Sequence, residues 1–334
     1  MLTLAIESSC DDTAAAVLVD GRTVLSSIVS SQFDVHARYG GIVPELASRR
    51  HIETVWPVVQ EALTIAGVEL TDLDLIAATQ GPGLIGSLLV GFTFAKGLAL
   101  VLNIPCVGVD HMAGHLLSPF LEEPAPQFPY IALIASGGNT SLYRVGSHTK
   151  FRCLGRTRDD AAGEAFDKVA KLLDLGYPGG PIISRMAMEG DPAAITFPRA
   201  WLDQDSLDFS FSGLKTAVVN FVNGFRRKDL PLPVADICAS FQEAVVEVLV
   251  SKTIRAARHM GTEQVVLGGG VASNLRLRQA MAEQSKAAGL QLFVPAPVYC
   301  TDNAAMIGLA GFYRFQRGEV LDPDADVYSR PQLH

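Results

Sequence analysis

The segment VGVDHMAGHLLSP sets His111 and His115 four residues apart. On a helix such a pair lies on one face, so both imidazoles can reach a single metal ion. The zinc-protease pattern has the same spacing but carries a glutamate, the general base, directly after its first histidine. Here Met112, Ala113 and Gly114 fill the interval, so no base for activating water stands beside the pair. The alternative is two helix histidines satisfied by ordinary hydrogen bonds.

Three glycine-rich stretches have the composition of anion or nucleotide sites. In ESSCDDT (Glu7–Thr13) and SGGNT (Ser136–Thr140) a tight turn joins two expected strands, and N–H groups pointing one way make an anion nest. Either turn alone reads equally well as a plain hairpin. Their equivalent placement in two repeats favours the nest, because facing hairpins cradle phosphates in actin-like ATPases and sugar kinases. LGGGVASN runs from a strand through three glycines into a helix expected to be capped by Ser273, where backbone can lie flat against a purine or ribose. Gly81-x-Gly83-x-x-Gly86 matches the dinucleotide fingerprint in letters. Pro82 interrupts it and no acidic residue stands about 20 positions on, so it reads as a structural turn lining the cleft.

The elements that must position these residues come in two similar sets. Strands are expected at 2–8, 13–19 and 23–31, a helix over 44–66, then a strand, a helix over 86–103 and a strand at CVGV. The pattern recurs from YIALIASGGNTSLYRVGSHTKFRCLG onward, with helices from Asp160 and over 234–260, strands at EQVVLGGG and QLFVPAP, and a last helix near Asp302. Such duplication implies two similar lobes facing each other across a cleft. The boundaries read as an N-terminal lobe over 1–120, a C-terminal lobe over 121–300 with an insertion at 177–230, and a C-terminal helix over 301–334 packing back toward the first lobe.

Composition narrows the class. The chain has 334 residues, 49% hydrophobic and 19% charged, which suits a soluble globular protein of about two domains. Five dispersed cysteines without a C-x-x-C pair point to a reducing compartment. The N-terminus reads directly as a strand, with no signal peptide. Residues 84–109 are the most apolar stretch, but Lys96, four glycines and Pro105 make it a buried helix and strand rather than a membrane span. These features imply a cytoplasmic protein. Its net charge of −8 argues against an unaided grip on nucleic acid, and Arg49–Arg50–His51 and Arg226–Arg227–Lys228 read as solvated helix faces.

Taken together, HMAGHLLSP, ASGGNT, DDAAGEAFDKVAKLLDLGYPGGP, DFSFSGLKT, GGGVASN and CTDNAAMIG resemble the bacterial TsaD family, the tRNA N6-adenosine threonylcarbamoyltransferases, once described as O-sialoglycoprotein endopeptidases. The resemblance runs from Ile6 to about Gly311. It implies an α/β, two-lobed actin-like ATPase fold (a duplicated RNase H-like unit). It also implies transfer of threonylcarbamoyl from threonylcarbamoyl-AMP to N6 of the adenosine 3′ of the anticodon in tRNAs reading ANN codons. His111, His115 and Asp302 then resemble the ligands of one metal, a set that suits Fe(II) and admits Zn(II). Ile134, Ala135, Ser136, Gly137 and Gly138 resemble the substrate loop, Asp167 the acceptor for the ribose hydroxyls, and Gly180 and Asn274 the frame of ribose and adenine. Asn139 stands where bacterial members often have histidine, and Ala113 where they often have glutamate.

The resemblance answers what a metal without a base does: it polarises the donor's oxygens, with AMP already a good leaving group and the weak adenine amine needing orientation. Asp11 on the first hairpin is a candidate for taking the amine proton, or simply caps the turn. In the family a TsaB paralogue pairs through N-lobe helices, a TsaE ATPase joins, and a TsaC-type enzyme supplies the adenylate. The apolar stripe Ile52, Val55, Trp56, Val59 and Leu63 is the expected contact for the paralogue. The rival readings are a metal-dependent glycoprotease, a kinase or ATPase of the same fold, and a non-catalytic scaffold paralogue.

Overall fold

The structure, a computed structural model, describes residues 1–201 and 205–333. Residues 202–204, within the expected insertion 177–230, and residue 334, at the end of the expected segment 301–334, lie outside the described residues.

In chain order the strands are β1 (Leu2–Glu7), β2 (Asp12–Val19), β3 (Thr23–Ser31), β4 (Leu75–Gly81), β5 (Cys106–Asp110), β6 (Tyr130–Ala135), β7 (Thr140–Ser147), β8 (Lys150–Arg156), β9 (Gln264–Gly268) and β10 (Gln291–Phe293). The helices are α1 (Phe33–Ala37), α2 (Pro44–Ala66), α3 (Ile85–Leu102), α4 (His111–Leu117), α5 (Ala162–Leu172), α6 (Gly179–Met186), α7 (Ser212–Arg226), α8 (Val234–Met260), α9 (Leu275–Ala287), α10 (Pro297–Cys300) and α11 (Ala304–Phe315). Boundaries follow local chemistry. α2 begins with proline in its first turn and ends at left-handed Gly67, while α3 ends at left-handed Asn103.

Two compact units result: Met1–Pro126 with Gly146–Phe151 and Val298–His334, and Gln127–Val145 with Arg152–Pro297. Each holds one five-stranded sheet, ordered β3-β2-β1-β4-β5 in the first and β10-β9-β6-β7-β8 in the second. β1 pairs antiparallel with β2 and parallel with β4, and β6 likewise pairs antiparallel with β7 and parallel with β9. The topology is therefore repeated, as the sequence duplication led us to expect.

In the first unit, Leu4, Ile6, Val17, Val55, Val59, Ile76, Phe92 and Ala95 form the core between the sheet and α2 and α3. α11 packs on the same sheet, and Gly311 admits it closely: a Cβ there would lie 2.5 Å from the Ala77 side chain. Two expectations need correction. α3 is not wholly buried: Phe92, Ala95 and Ala99 face the core, whereas Ile85, Leu89, Leu100 and Val101 are exposed. α3 is also the one described helix long and apolar enough to cross a membrane. The stripe on α2 divides as well, with Val55, Val59 and Leu63 buried and only Ile52 and Trp56 open to solvent.

Candidate metal centre

α4 follows β5 directly because Asp110, the last strand residue, caps it; one carboxylate oxygen accepts the N–H groups of Met112 (2.9 Å) and Ala113 (3.4 Å). The other oxygen accepts the Tyr328 hydroxyl at 2.9 Å, so the C-terminal segment braces the same cap. His111 and His115 fall on one face, their rings edge to face at 4.7 Å. Asp302 arrives from the turn before α11, whose own cap is Asn303, accepting from Met306 N at 2.9 Å. The Asp302 carboxylate lies 3.1 Å from His115 Nε2 and 3.5 Å from His111 Nε2.

Gly114 makes this approach possible. A Cβ there would lie 2.9 Å from Met306 Cγ and 3.0 Å from Ile307 Cδ1 of α11. Gly114→Val is accordingly expected to push the two helices apart, lowering stability by about 1–3 kcal/mol and weakening metal binding. Denaturant midpoints together with metal titration check this; a variant with unchanged metal affinity would show that the interhelical spacing does not matter to the site.

Ligand atoms of His111, His115 and Asp302 all lie within 4.8 Å of one another, which suits a single metal ion. The electrostatics agree with the donor set. Burial by itself would lower the His111 pKa, but the carboxylates of Glu7 and Asp302 more than reverse this and hold it well above the usual histidine range. Partial burial by itself would raise the Asp302 pKa, but His111 and His115 hold it far below the usual carboxylate range. The cluster thus draws positive charge to itself, which a cation satisfies. The buried Nδ1 of His115 has no hydrogen-bond partner among the described residues.

The β1–β2 turn borders this cluster. Asp11 opens the hairpin partly exposed, and Asp12 beside it is pushed up to about 7, chiefly by burial and then by the charges of Asp11, Asp302 and Glu7. Sequence reading overlooked both Asp12 and Glu7; the available signal was an acidic residue ending an otherwise apolar strand, LTLAIE. His51 also departs from expectation. It is fully buried, with Nδ1 2.7 Å from Thr13 Oγ1 and Nε2 3.0 Å from the Cys10 carbonyl, whereas Arg49 and Arg50 pair with Glu45 and Glu53 at the surface. The GPGLIG stretch is structural in the way expected: a Cβ on Gly83 would lie 2.4 Å from the Ser9 carbonyl, and Leu84 N donates to that carbonyl at 2.8 Å. Gly83 thus lets backbone pack against the first hairpin, while a Cβ on Gly81 would meet Tyr328 and one on Gly86 would meet Ser48.

In the second unit, Ile134 and Ala135 are fully buried within β6, so only Ser136–Asn139 emerges as a turn. Ser136 N donates to the Asn139 carbonyl at 2.7 Å, and Gly137 and Gly138 are exposed with open space at their Cβ positions. Thr140 ties the turn to the start of α5, accepting from Ala162 N at 2.8 Å. Asp167 meets the start of α6, accepting from Gly179 N at 2.7 Å next to Gly180, and burial raises its pKa. The cap of α9 is Asn274, not Ser273: its Oδ1 accepts from Leu277 N at 3.0 Å and its Nδ2 donates to Gln242 at 2.7 Å. Ser273 belongs instead to a short 3-10 turn over Gly270–Ser273.

Comparison with known proteins agrees with this architecture. The T. kodakarensis HypF structure superposes with a TM-score of 0.64 at 16% identity, covering 94% of this chain and 48% of that one. Component A of the (R)-2-hydroxyglutaryl-CoA dehydratase of Acidaminococcus fermentans gives 0.56 at 17% identity, covering 95% and 98%. Both likenesses concern the fold, which is the α/β actin-like ATPase fold. Sequence relatives named tRNA N6-adenosine threonylcarbamoyltransferase include a Desulfotalea psychrophila protein, 58% identical over 100% of this chain and 98% of that protein. One from Clostridioides difficile is 53% identical over 96% and 95%. The model of the TsaD family, tRNA N6-adenosine threonylcarbamoyltransferase, matches residues 23–309, and the chain belongs to that family.

Proposed function

We propose that this chain transfers the threonylcarbamoyl group of threonylcarbamoyl-AMP to N6 of the adenosine 3′ of the anticodon in tRNAs reading ANN codons, releasing AMP. The observation that carries the reading is the convergence of His111, His115 and Asp302 in a chain of this family. Two imidazoles and one carboxylate favour Fe(II), with Zn(II) second, and the bound ion supplies Lewis-acid polarisation of the donor. The chain's own groups do the rest. In the Ser136–Gly138 turn the N–H groups of the exposed Gly137 and Gly138 receive the adenylate phosphate, with Ile134 and Ala135 anchoring that turn in the sheet. Asp167 accepts from the ribose hydroxyls, and Gly180 and Asn274 frame ribose and adenine. Asp11 takes the proton of the attacking amine.

Asp167→Ala is expected to weaken binding of a non-hydrolysable adenylate analogue, because two hydroxyls lose a charge-assisted acceptor worth about 1.5–3 kcal/mol. Calorimetry giving an unchanged affinity would place the ribose elsewhere. The function itself is tested by incubating the chain and its partners with threonylcarbamoyl-AMP and an ANN-reading tRNA, then quantifying the modified nucleoside. Phosphate release from ATP by the isolated chain, without nucleoside formation, would favour a kinase or ATPase instead.

A charge of −8 disfavours a lone grip on polyanionic tRNA. The partners proposed are a TsaB-like paralogue seated on α2 and α3, where Ile52 and Trp56 are exposed, and a TsaE-like ATPase, with a TsaC-type enzyme supplying the adenylate. Trp56 packs on Phe94 at a ring separation of 6.2 Å and, with Gln60, Leu63 and Thr64, lines a groove of about 460 Å³. Five free cysteines suit the cytoplasm.

A further inference from the structure

We infer that Glu7 is a positioning residue for the metal centre: its carboxylate accepts the Nδ1–H of His111 and so commits the Nε2 lone pair to the cation. The inference rests on the ligand role proposed for His111.

Glu7 ends β1 with its side chain fully buried. One oxygen accepts the Ser9 N–H at 2.5 Å; the other accepts the Thr79 hydroxyl at 2.5 Å and lies 3.0 Å from His111 Nδ1. These anchors come from the hairpin, β4 and α4, so the carboxylate has little freedom to swing away. Ser9 Oγ also lies 3.2 Å from Nδ1. A hydroxyl can donate or accept, however, and so selects no tautomer, whereas an ionised carboxylate only accepts. A neutral imidazole has one N–H. Of the two carboxylates that meet the ring, Glu7 at 3.0 Å from Nδ1 is nearer than Asp302 at 3.5 Å from Nε2, so the proton is held on Nδ1 and the free lone pair is on Nε2. Among the described residues His115 has no such holder, since its buried Nδ1 meets no hydrogen-bond partner there. The burden of fixing a ligand's tautomer therefore falls on the Glu7–His111 pair. Outer partners of this kind typically change metal affinity by about 10–100-fold.

Glutamine at position 7 keeps the shape but has only one acceptor oxygen. If its amide nitrogen faces His111, the ring proton moves to Nε2 and occupies the metal-facing lone pair. If the nitrogen faces Ser9 instead, two donors oppose each other in a buried space.

The test uses the full-length protein labelled with ¹⁵N-histidine and Zn(II) as a diamagnetic probe. Zinc affinity is measured by competition with a chelator, and the His111 ¹⁵N shifts are followed in metal-free protein upward in pH until the ring is neutral, because, against the effect of burial, Glu7 and Asp302 hold its pKa well above the usual histidine range. The parent is expected to show the Nδ1–H form. Glu7→Gln is expected to shift His111 toward the Nε2–H form and to bind zinc about 10–100-fold more weakly, while its circular dichroism stays native. A variant that keeps both the parent tautomer and the parent affinity overturns the inference. His111→Ala in the same titration separates the two readings: if it binds zinc like the parent, the ligand assignment fails, while the tautomer shift still reports on Glu7. Should the glutamine variant unfold, Glu7→Asp keeps the charge but withdraws the carboxylate by one methylene, and is read by the same two measurements with the same outcomes.

Discussion

Asp302→Ala is expected to give a folded protein that neither retains metal nor modifies tRNA. The side chain is partly exposed, at 27%, at the turn before α11, and the α11 cap belongs to its neighbour Asn303, so the helix survives the substitution. Losing one of the three proposed ligands should reduce metal affinity by more than the roughly 10–100-fold associated with outer partners, and transfer activity should fall at least in proportion. His111→Ala should lose metal as well, but it strips the buried Glu7 carboxylate of its counter-charge, a defect that typically costs about 3–5 kcal/mol. The aspartate variant is therefore the cleaner probe. Metal content after dialysis and modified nucleoside per tRNA are the measurements, and full retention of both by Asp302→Ala would remove this cluster from the mechanism.

The second large effect concerns assembly. The purified chain with adenylate and tRNA is expected to give little modification over many turnovers, and strong activity once the paralogue and the ATPase are added. Trp56→Glu should abolish that gain without unfolding the protein, because Trp56 is already 39% exposed and its ring partner Phe94 is itself only partly buried. A carboxylate placed in the centre of an apolar interface removes an aromatic anchor and buries an unpaired charge; either loss exceeds about 2 kcal/mol, or roughly thirtyfold in affinity. Pairing measured by sedimentation should fall with activity. Sustained turnover by the chain alone, with enzyme well below tRNA concentration, would refute the dependence.

Much of the fold was legible in the sequence because local chemistry and hydrophobic period agree there. The helix over 44–66 carries its own signals, proline at the start and a left-handed glycine after the end, and it forms over those residues. The duplication could be read because each repeat begins with the same strand–turn–strand pattern, and each turn closes on a threonine that is buried. His111 and His115 could be paired from spacing alone, since a helix converts four residues into one face. The resemblance to the TsaD family, carried by motifs spread along the chain, agrees with the family match.

Other features lay beyond the sequence because they depend on contacts between distant segments. Spacing says nothing about Asp302, which lies 187 residues from His115; the resemblance pointed to it, and the packing of α4 against α11 through Gly114 brings the carboxylate to the imidazoles. Composition marked His51 as part of a basic surface cluster, yet its ring is buried, bonded to the Thr13 hydroxyl and near the Cys10 carbonyl, because α2 lies against β2. The α2 stripe did not reveal which of its residues remain outside, since that depends on how α3 crosses it. Glu7 is the sharpest case. In the string LTLAIESSC it is one acid at the end of a strand, and only the meeting of β1, β4 and α4 surrounds its carboxylate with a backbone N–H, a hydroxyl and an imidazole. The sequence determined the elements and one face of the proposed metal site, because those depend on neighbours along the chain; tertiary packing decided how Asp302 and Glu7 meet His111, because a buried charge is stabilised only by groups that the fold brings to it.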